Sequence, residues 1–314
     1  MDSADEIILD TAPFIVIYKS GRTERSLAND FVPPSVDPVD GVSSKDALIS
    51  PETGVAARLY LPAGDPPGKK LPLLIYFHGG GFCVGSAFST LSHNYMTSLV
   101  ARANVVAVSV DYSLAPEHTL PAAFEDAWAA LQWVASGGGG DEWLAQHSDF
   151  DRVYLLGESA GANISHHMAL RAGSESLDRG VKIKGAVLIH PYFEGSDPVG
   201  SDLNDAELSE EMKRMWKLVF PSVSIDDPWI SPLAGDAAAT LSGLGCERVL
   251  LCLADKDVFR DRGREYYHAL KGSGWKGDVE MWEGDMGHLF HLANVKHEMA
   301  LAQEGVITGF LNRD

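Results

Sequence analysis

Cysteine, basic charge and long apolar runs are all scarce in this chain, and each scarcity removes a class of protein. Three cysteines, Cys83, Cys246 and Cys252, occur in 314 residues. Their number is odd and no pair has C-x-x-C spacing, so a reducing compartment is expected rather than a disulfide framework. Lys and Arg total 25 against 44 Asp and Glu, a formal charge of −19. Nucleic acid and anionic membranes bind clustered cations, so neither is expected as a partner. No apolar run approaches the ~18 residues of a membrane-spanning helix. The start, Met1-Asp2-Ser3-Ala4-Asp5-Glu6, is acidic and lacks the cationic and apolar regions of a secretory signal. The tail Phe310-Leu311-Asn312-Arg313-Asp314 is no retention signal. A cytoplasmic location is the resulting expectation.

What is present is an alternation. Apolar runs at Leu71 to Phe77, Val105 to Val110, Arg152 to Leu156, Ala186 to His190, Arg248 to Leu253 and Val279 to Trp282 read as strands. Helix-period segments at Ser92 to Arg102, Ala122 to Ala135, Ala160 to Ala172, Arg262 to Lys271 and Val295 to Leu311 lie between or after them. Unbroken Val, Ile and Leu runs imply strands covered on both faces, hence a mostly parallel, doubly wound sheet. At this length one α/β core with an inserted or appended piece is expected. The rhythm breaks between Pro191 and Pro232, where Glu207 to Phe220 reads as an amphipathic helix with Leu208, Met212, Met215, Trp216 and Val219 on one face. That stripe reads as ordinary packing, although an inserted helix of this kind can contact a ligand as well. Residues 1 to about 50 hold one apolar run, Phe14 to Tyr18, and cannot build a core of their own. Val55 to Leu61 is a strand, Pro62 to Lys70 a turn-rich connection, and Gly137 to Gly140 a flexible surface loop.

The chemistry gathers at strand ends. Arg152 to Leu156 runs into Gly157-Glu158-Ser159-Ala160-Gly161 and then a helix, the strand, sharp turn and helix of a nucleophile elbow with Ser159 as the exposed nucleophile. Upstream, Leu71 to Phe77 runs into His78-Gly79-Gly80-Gly81-Phe82, whose glycines free backbone N–H groups for an anion. A serine hydroxyl needs a base and an acid to orient that base. Leu250-Leu251-Cys252-Leu253 leads to Asp257, with Asp255 as the alternative at the same strand exit. Val279 to Trp282 leads through a Gly-containing loop to His288, with His291 as the nearest rival. His78 reads as an anchor of the glycine loop, Cys83 as a packing residue, and His166 and His167 as polar helix-face residues. No H-E-x-x-H or cysteine partner accompanies the histidines, so neither a metal nor another cofactor is expected.

These motifs together, with Asp111-Tyr112-Ser113-Leu114-Ala115-Pro116-Glu117-His118, Leu120-Pro121-Ala122-Ala123, Arg260-Asp261-Arg262-Gly263 and Gly287-His288, resemble the plant carboxylesterases of the hormone-sensitive-lipase-like class of α/β-hydrolases. The resemblance spans about residues 70 to 292. It implies an α/β-hydrolase fold over residues 1–314 with a helical cap from about 1–45 and about 191–232. It implies a triad of Ser159, Asp257 and His288, and an oxyanion hole from Gly79, Gly80, Gly81 and Ala160 in which Gly79 holds the loop. The implied activity is hydrolysis of small carboxylic esters. Within the same class, isoflavanone dehydratases and lactone-forming tuliposide enzymes reuse the histidine base without needing hydrolytic acyl transfer, and the gibberellin receptors bind ligand without the catalytic histidine. Here Gly287-His288 is intact, which favours an enzyme. Ser113 stands where the class usually has an arginine, so an ion pair supporting that loop is expected to be missing. Phe82, Trp216 and Phe290 are candidates for pocket lining.

Overall fold

The computed structural model describes residues 6–11, 15–28, 30–64 and 70–313. Met1 to Asp5, Phe14 and residues 65–69 of the turn-rich connection lie outside the described residues. Three short strands, β1 (Ile7–Asp10), β2 (Ile15–Tyr18) and β3 (Thr23–Arg25), pair as an antiparallel sheet. The remaining strands are β4 (Val42–Leu48), β5 (Ala56–Pro62), β6 (Leu71–Phe77), β7 (Val106–Asp111), β8 (Ser148–Glu158), β9 (Ile183–Ile189), β10 (Cys246–Ala254) and β11 (Asp278–Gly284). They form one sheet in the order β11-β10-β9-β8-β6-β7-β5-β4. All neighbours from β11 to β7 run parallel, while β5 is antiparallel to both β7 and β4. This is the mostly parallel sheet that the alternation implies, with the antiparallel strands added at one edge.

The helices are α1 (Thr90–Ala103), α2 (Ala122–Ala135), α3 (Glu142–His147), α4 (Ala160–Ser174), α5 (Gly200–Asn204), α6 (Ala206–Val219), α7 (Ala237–Ser242), α8 (Arg260–Gly272), α9 (Phe290–Ala293) and α10 (Glu298–Leu311). Successive strand residues face opposite sides, and both sides are apolar. Leu73, Ile75, Phe77, Leu155, Leu188 and Leu251 share one core with α2, α4 and α8. Leu74, Tyr76, Leu156, Ile189, Leu250 and Cys252 share the other with α1 and α10. The period-2 alternation within each run therefore decides which helix a side chain meets, which is why the runs show no polar face.

The described residues before position 50 build no core of their own but pack over the main one: Ile15 and Ile17 are buried in it, and β4 adds an edge strand to the large sheet. Arg25, at the end of β3, donates to the carbonyls of Cys83 (2.6 Å) and Ala115 (2.9 Å) and pairs with Glu117, tying the small sheet to the glycine loop. The tetraglycine is not an open loop. All four of its glycines have positive φ, Gly138 is buried with room for no Cβ (2.4 Å from Leu144), and Asp141 then caps α3 through the amides of Trp143 and Leu144. His166 and His167 are buried rather than surface-polar, because α4 is covered on both sides. His166 bonds the Tyr266 hydroxyl (2.9 Å) and His167 the Trp229 carbonyl (3.0 Å).

Candidate active site

Five loops at the carboxyl ends of β6, β8, β9, β10 and β11 converge, the position where parallel sheets present ligands. β8 ends at Glu158, and Ser159 follows with φ 54° and ψ −117°, a strained conformation for a non-glycine residue. Neither flanking glycine has a positive φ; what they supply is close approach. A Cβ at Gly157 would sit 2.1 Å from the Gly161 carbonyl oxygen, and one at Gly161 would sit 1.9 Å from that of Phe77. The turn can be this tight only without those side chains.

The serine Oγ lies 3.1 Å from His288 Nε2, and His288 Nδ1 lies 2.7 Å from Asp257 Oδ2. Since the carboxylate can only accept, Nδ1 carries the proton and Nε2 presents its lone pair to the serine hydroxyl. Asp257 is 4% exposed. Burial by itself would raise its pKa, but the charge and hydrogen bond of His288 prevail, with help from the Phe259 amide (3.1 Å), and hold the carboxyl below its ordinary range. Asp255 points away, half exposed and paired with Arg260 at 3.1 Å. His291 is buried edge-on to Tyr95, and burial pushes its imidazole down to about 3. The two alternatives left open by spacing are thus separated by direction and burial.

The glycine loop crosses above the elbow. Gly80 and Gly81 have φ of 115° and 59°, and among the described residues their amides, like that of Ala160 at the start of α4, donate to nothing. The Gly79 amide is different: it donates to Glu158 Oε1 at 2.7 Å, so Gly79 is a fastening point and not a free donor. Tyr76 donates to the same oxygen, also at 2.7 Å. Burial pushes the Glu158 carboxyl up to about 8. His78 anchors the loop from the other side, with Nδ1 2.7 Å from the Gly79 carbonyl oxygen, its ring stacked on Tyr112, and its carbonyl accepting from the Tyr112 hydroxyl. Ser113 lacks the arginine's charge, but its amide donates to the buried Asp126 carboxylate at 2.9 Å, which supports the loop another way.

A family model described as an alpha/beta hydrolase fold matches residues 74–292. The chain belongs to this α/β-hydrolase family. It is 45% identical to tuliposide A-converting enzyme 1 of Tulipa gesneriana, over 98% of this chain and 78% of that one. It is 42% identical to probable carboxylesterase 2 of Arabidopsis thaliana (98% and 97% covered) and 44% identical to 2-hydroxyisoflavanone dehydratase of Glycyrrhiza echinata (98% and 97%). Among solved structures, a hyperthermophilic esterase from Pyrobaculum calidifontis superposes with a TM-score of 0.70 at 30% identity, covering 87% of this chain and 86% of that one. This hydrolase is therefore of the carboxylesterase type. The expected cytoplasmic location does not stand, because two of its relatives are named chloroplastic and a third mitochondrial. A missing secretory signal does not speak against an organelle, because transit peptides are amphipathic and have no such apolar core. Among the described residues no helix is long and apolar enough to cross a membrane.

The pocket of the hydrolase has a volume of about 660 Å³ and opens directly onto Ser159 and His288. Its walls come from Leu208, Met212 and Met215 of α6, from Leu27 and Ala28 after β3, and from Val258, Phe259 and Leu292. The expected lining differs: Phe82, Trp216 and Phe290 are core residues, and none of them borders this cavity. Phe82 and Trp216 pack on one another at 5.3 Å beneath it. Met212 and Met215 of the amphipathic stripe, read first as packing, also form its wall. Two residues whose roles motif spacing left unmarked also lie at the site, Glu158 lining the pocket and His190 packed behind His288. Both carry a signal that was available: each ends a buried strand, as the elbow does.

Proposed function

We propose that this hydrolase is a serine carboxylesterase that acts through an acyl-enzyme, with Ser159 as nucleophile, His288 as base and acid, and Asp257 as orienting carboxylate. The observation that carries the reading is the unbroken line from Asp257 Oδ2 through His288 to Ser159 Oγ, at 2.7 and 3.1 Å. As Ser159 attacks an ester carbonyl, its proton passes to His288 Nε2, and the imidazolium is stabilised by the buried Asp257 carboxylate. The amides of Gly80, Gly81 and Ala160 are proposed to hold the oxyanion, each worth about 10² to 10³ in rate, with the N-terminal end of α4 adding favourable polarity. His288 then returns the proton to the leaving alcohol, and water repeats the path on the acyl-serine. Residues 1–45 and 191–232 are proposed as the cap, a reading supported by the pocket walls contributed by Leu27, Ala28, Leu208, Met212 and Met215. Those apolar walls favour small neutral esters with hydrocarbon acyl or alcohol parts.

Purified protein is expected to release p-nitrophenol from short-chain p-nitrophenyl esters, with Ser159→Ala losing nearly all turnover at an unchanged melting temperature. Wild-type turnover in that variant would remove the serine mechanism. The similarity to a dehydratase favours one competing reading, elimination with His288 as base. Intact mass after exposure to an organophosphate separates them when combined with product analysis: an esterase gives a single adduct at Ser159 and a carboxylic acid product, whereas an eliminating enzyme gives a product lighter by water without needing an acyl-serine.

A further inference from the structure

We infer that His190 is a positioning residue that fixes the loop carrying His288, an inference that rests on the triad reading above. His190 directly follows β9, is 1% exposed and has φ 45°. Its turn is sewn to both neighbouring segments. The His190 amide donates to the Cys252 carbonyl on β10 (2.8 Å), the strand that ends before Asp257. The carbonyl of the preceding Ile189 accepts the Ser159 amide (2.9 Å), and the amide of Tyr192 donates to the Ser159 carbonyl (3.1 Å). The backbone here is therefore registered against the nucleophile on one side and the acid on the other.

The side chain then reaches the third segment. His190 Nδ1 lies 3.0 Å from the amide nitrogen of Leu289. An amide can only donate, so Nδ1 is the unprotonated nitrogen and the ring proton resides on Nε2. Leu289 is the residue after His288, and the bonded N–H belongs to the peptide group joining the two. Holding that peptide plane holds the Cα of His288, and Leu289 with φ 54° is in a left-handed conformation that a leucine keeps only when its surroundings enforce it. The His190 ring is also packed against the rings of His288 (5.6 Å), Phe290 (5.5 Å) and His291 (5.5 Å), so three residues of the four-residue turn rest on it. Burial pushes the His190 imidazole well below its ordinary range, which keeps the accepting nitrogen bare at neutral pH. Potential donor atoms of His190, Asp257 and His288 lie within 4.8 Å of one another, yet both nitrogens of His288 and Nδ1 of His190 are already engaged, and a metal there would have to break those bonds. The cluster is a support for the base.

A displacement of about 1 Å at the base can cost up to ~10² in rate. His190→Leu, which fills the space but accepts nothing, is expected to lower kcat for p-nitrophenyl esters about 30- to 100-fold with KM changed less than about twofold. His190→Asn is expected to recover to within about threefold of wild type, because Asn Oδ1 replaces Nδ1 as acceptor and asparagine tolerates a left-handed backbone. Rescue by Asn and not by Leu is a pattern that packing alone does not produce. Full kcat in the Leu variant overturns the inference, as does an Asn variant that is folded and as impaired as Leu. If the Leu variant does not fold, the Asn variant decides: near wild-type kcat supports the inference, and a loss of tenfold or more overturns it. Ser159→Ala, run alongside, tells the two failures apart, since its retained turnover would instead remove the triad itself.

Discussion

Asp255 and Asp257 leave the same strand two residues apart, and only their surroundings distinguish them. Asp257 is buried and aimed at His288 Nδ1, whereas Asp255 is about half exposed in an ion pair with Arg260. Asp257→Asn keeps the shape but allows the imidazole its other tautomer, so kcat is expected to fall by about 10³ to 10⁴ with little change in melting temperature. Asp255→Ala breaks partly exposed ion pairs with Arg260 and, more loosely, Arg264, each worth ~1 kcal/mol or less, and turnover should remain within about twofold. Steady-state kinetics on the two variants checks the assignment, and equal losses would contradict it. At this scale the sequence marked which residue types follow strand ends, since strand exits and glycine loops are local features. It did not mark direction. Phe82 and Trp216 looked like pocket walls but point into the core, while Met212 and Met215 on the same helix as Trp216 border the cavity, because which way α6 rolls is settled by long-range packing against Tyr192.

Among the elements, the glycine loop is the one whose backbone conformation the proposed chemistry most depends on. Gly80 has φ 115°, and a Cβ there would lie 2.1 Å from the Val84 carbonyl oxygen, so Gly80→Ala must displace the loop. Turnover should drop at least ~10²-fold as the proposed oxyanion donors turn away, with a stability loss of about 2–4 kcal/mol. Urea unfolding and kinetics measure the two effects, and a variant that keeps wild-type turnover would show the loop has no part in the reaction. The core elements were legible because β6 and the later parts of β8, β9 and β10 are continuous apolar runs and α2 keeps a helical period. β4 was not. Its sequence, Val42–Leu48, includes Ser43, Ser44, Lys45 and Asp46, and it forms by backbone pairing with β5 at the sheet edge, where one face meets solvent. β1 and β3 escaped for the same reason: strands of three or four residues carry too little pattern to outweigh the non-local pairing that makes them.

Over the whole molecule, a charge of −19 coexists with acids buried inside it. Burial pushes both Glu158 and Glu194 up to about 8. Glu194 lies 3.2 Å from Arg262, which also bonds Asp202 at 2.6 Å and so joins α8 to the segment between β9 and α6; the Arg262 charge lowers the Glu194 value but does not cancel the effect of burial. Among the described residues Glu158 has no cation beside it, only the Gly79 amide and the Tyr76 hydroxyl, both on one oxygen, with its other oxygen unpartnered. A carboxyl whose pKa is raised on folding binds a proton in the folded state that the unfolded chain has released. Its contribution to stability is therefore complete below the ordinary glutamate range near 4.5 and is lost as pH rises through about 8. Gln resembles the protonated acid and keeps the accepting oxygen for both donors. Glu158→Gln should therefore melt close to wild type at pH 5 and increasingly above it toward pH 9, a difference on the order of 3 kcal/mol by the upper end. Melting curves of the two proteins across that range measure it. A constant offset would mean Glu158 is ionised in the folded protein throughout, and the glycine loop would then be fastened by a buried carboxylate rather than by a neutral acid.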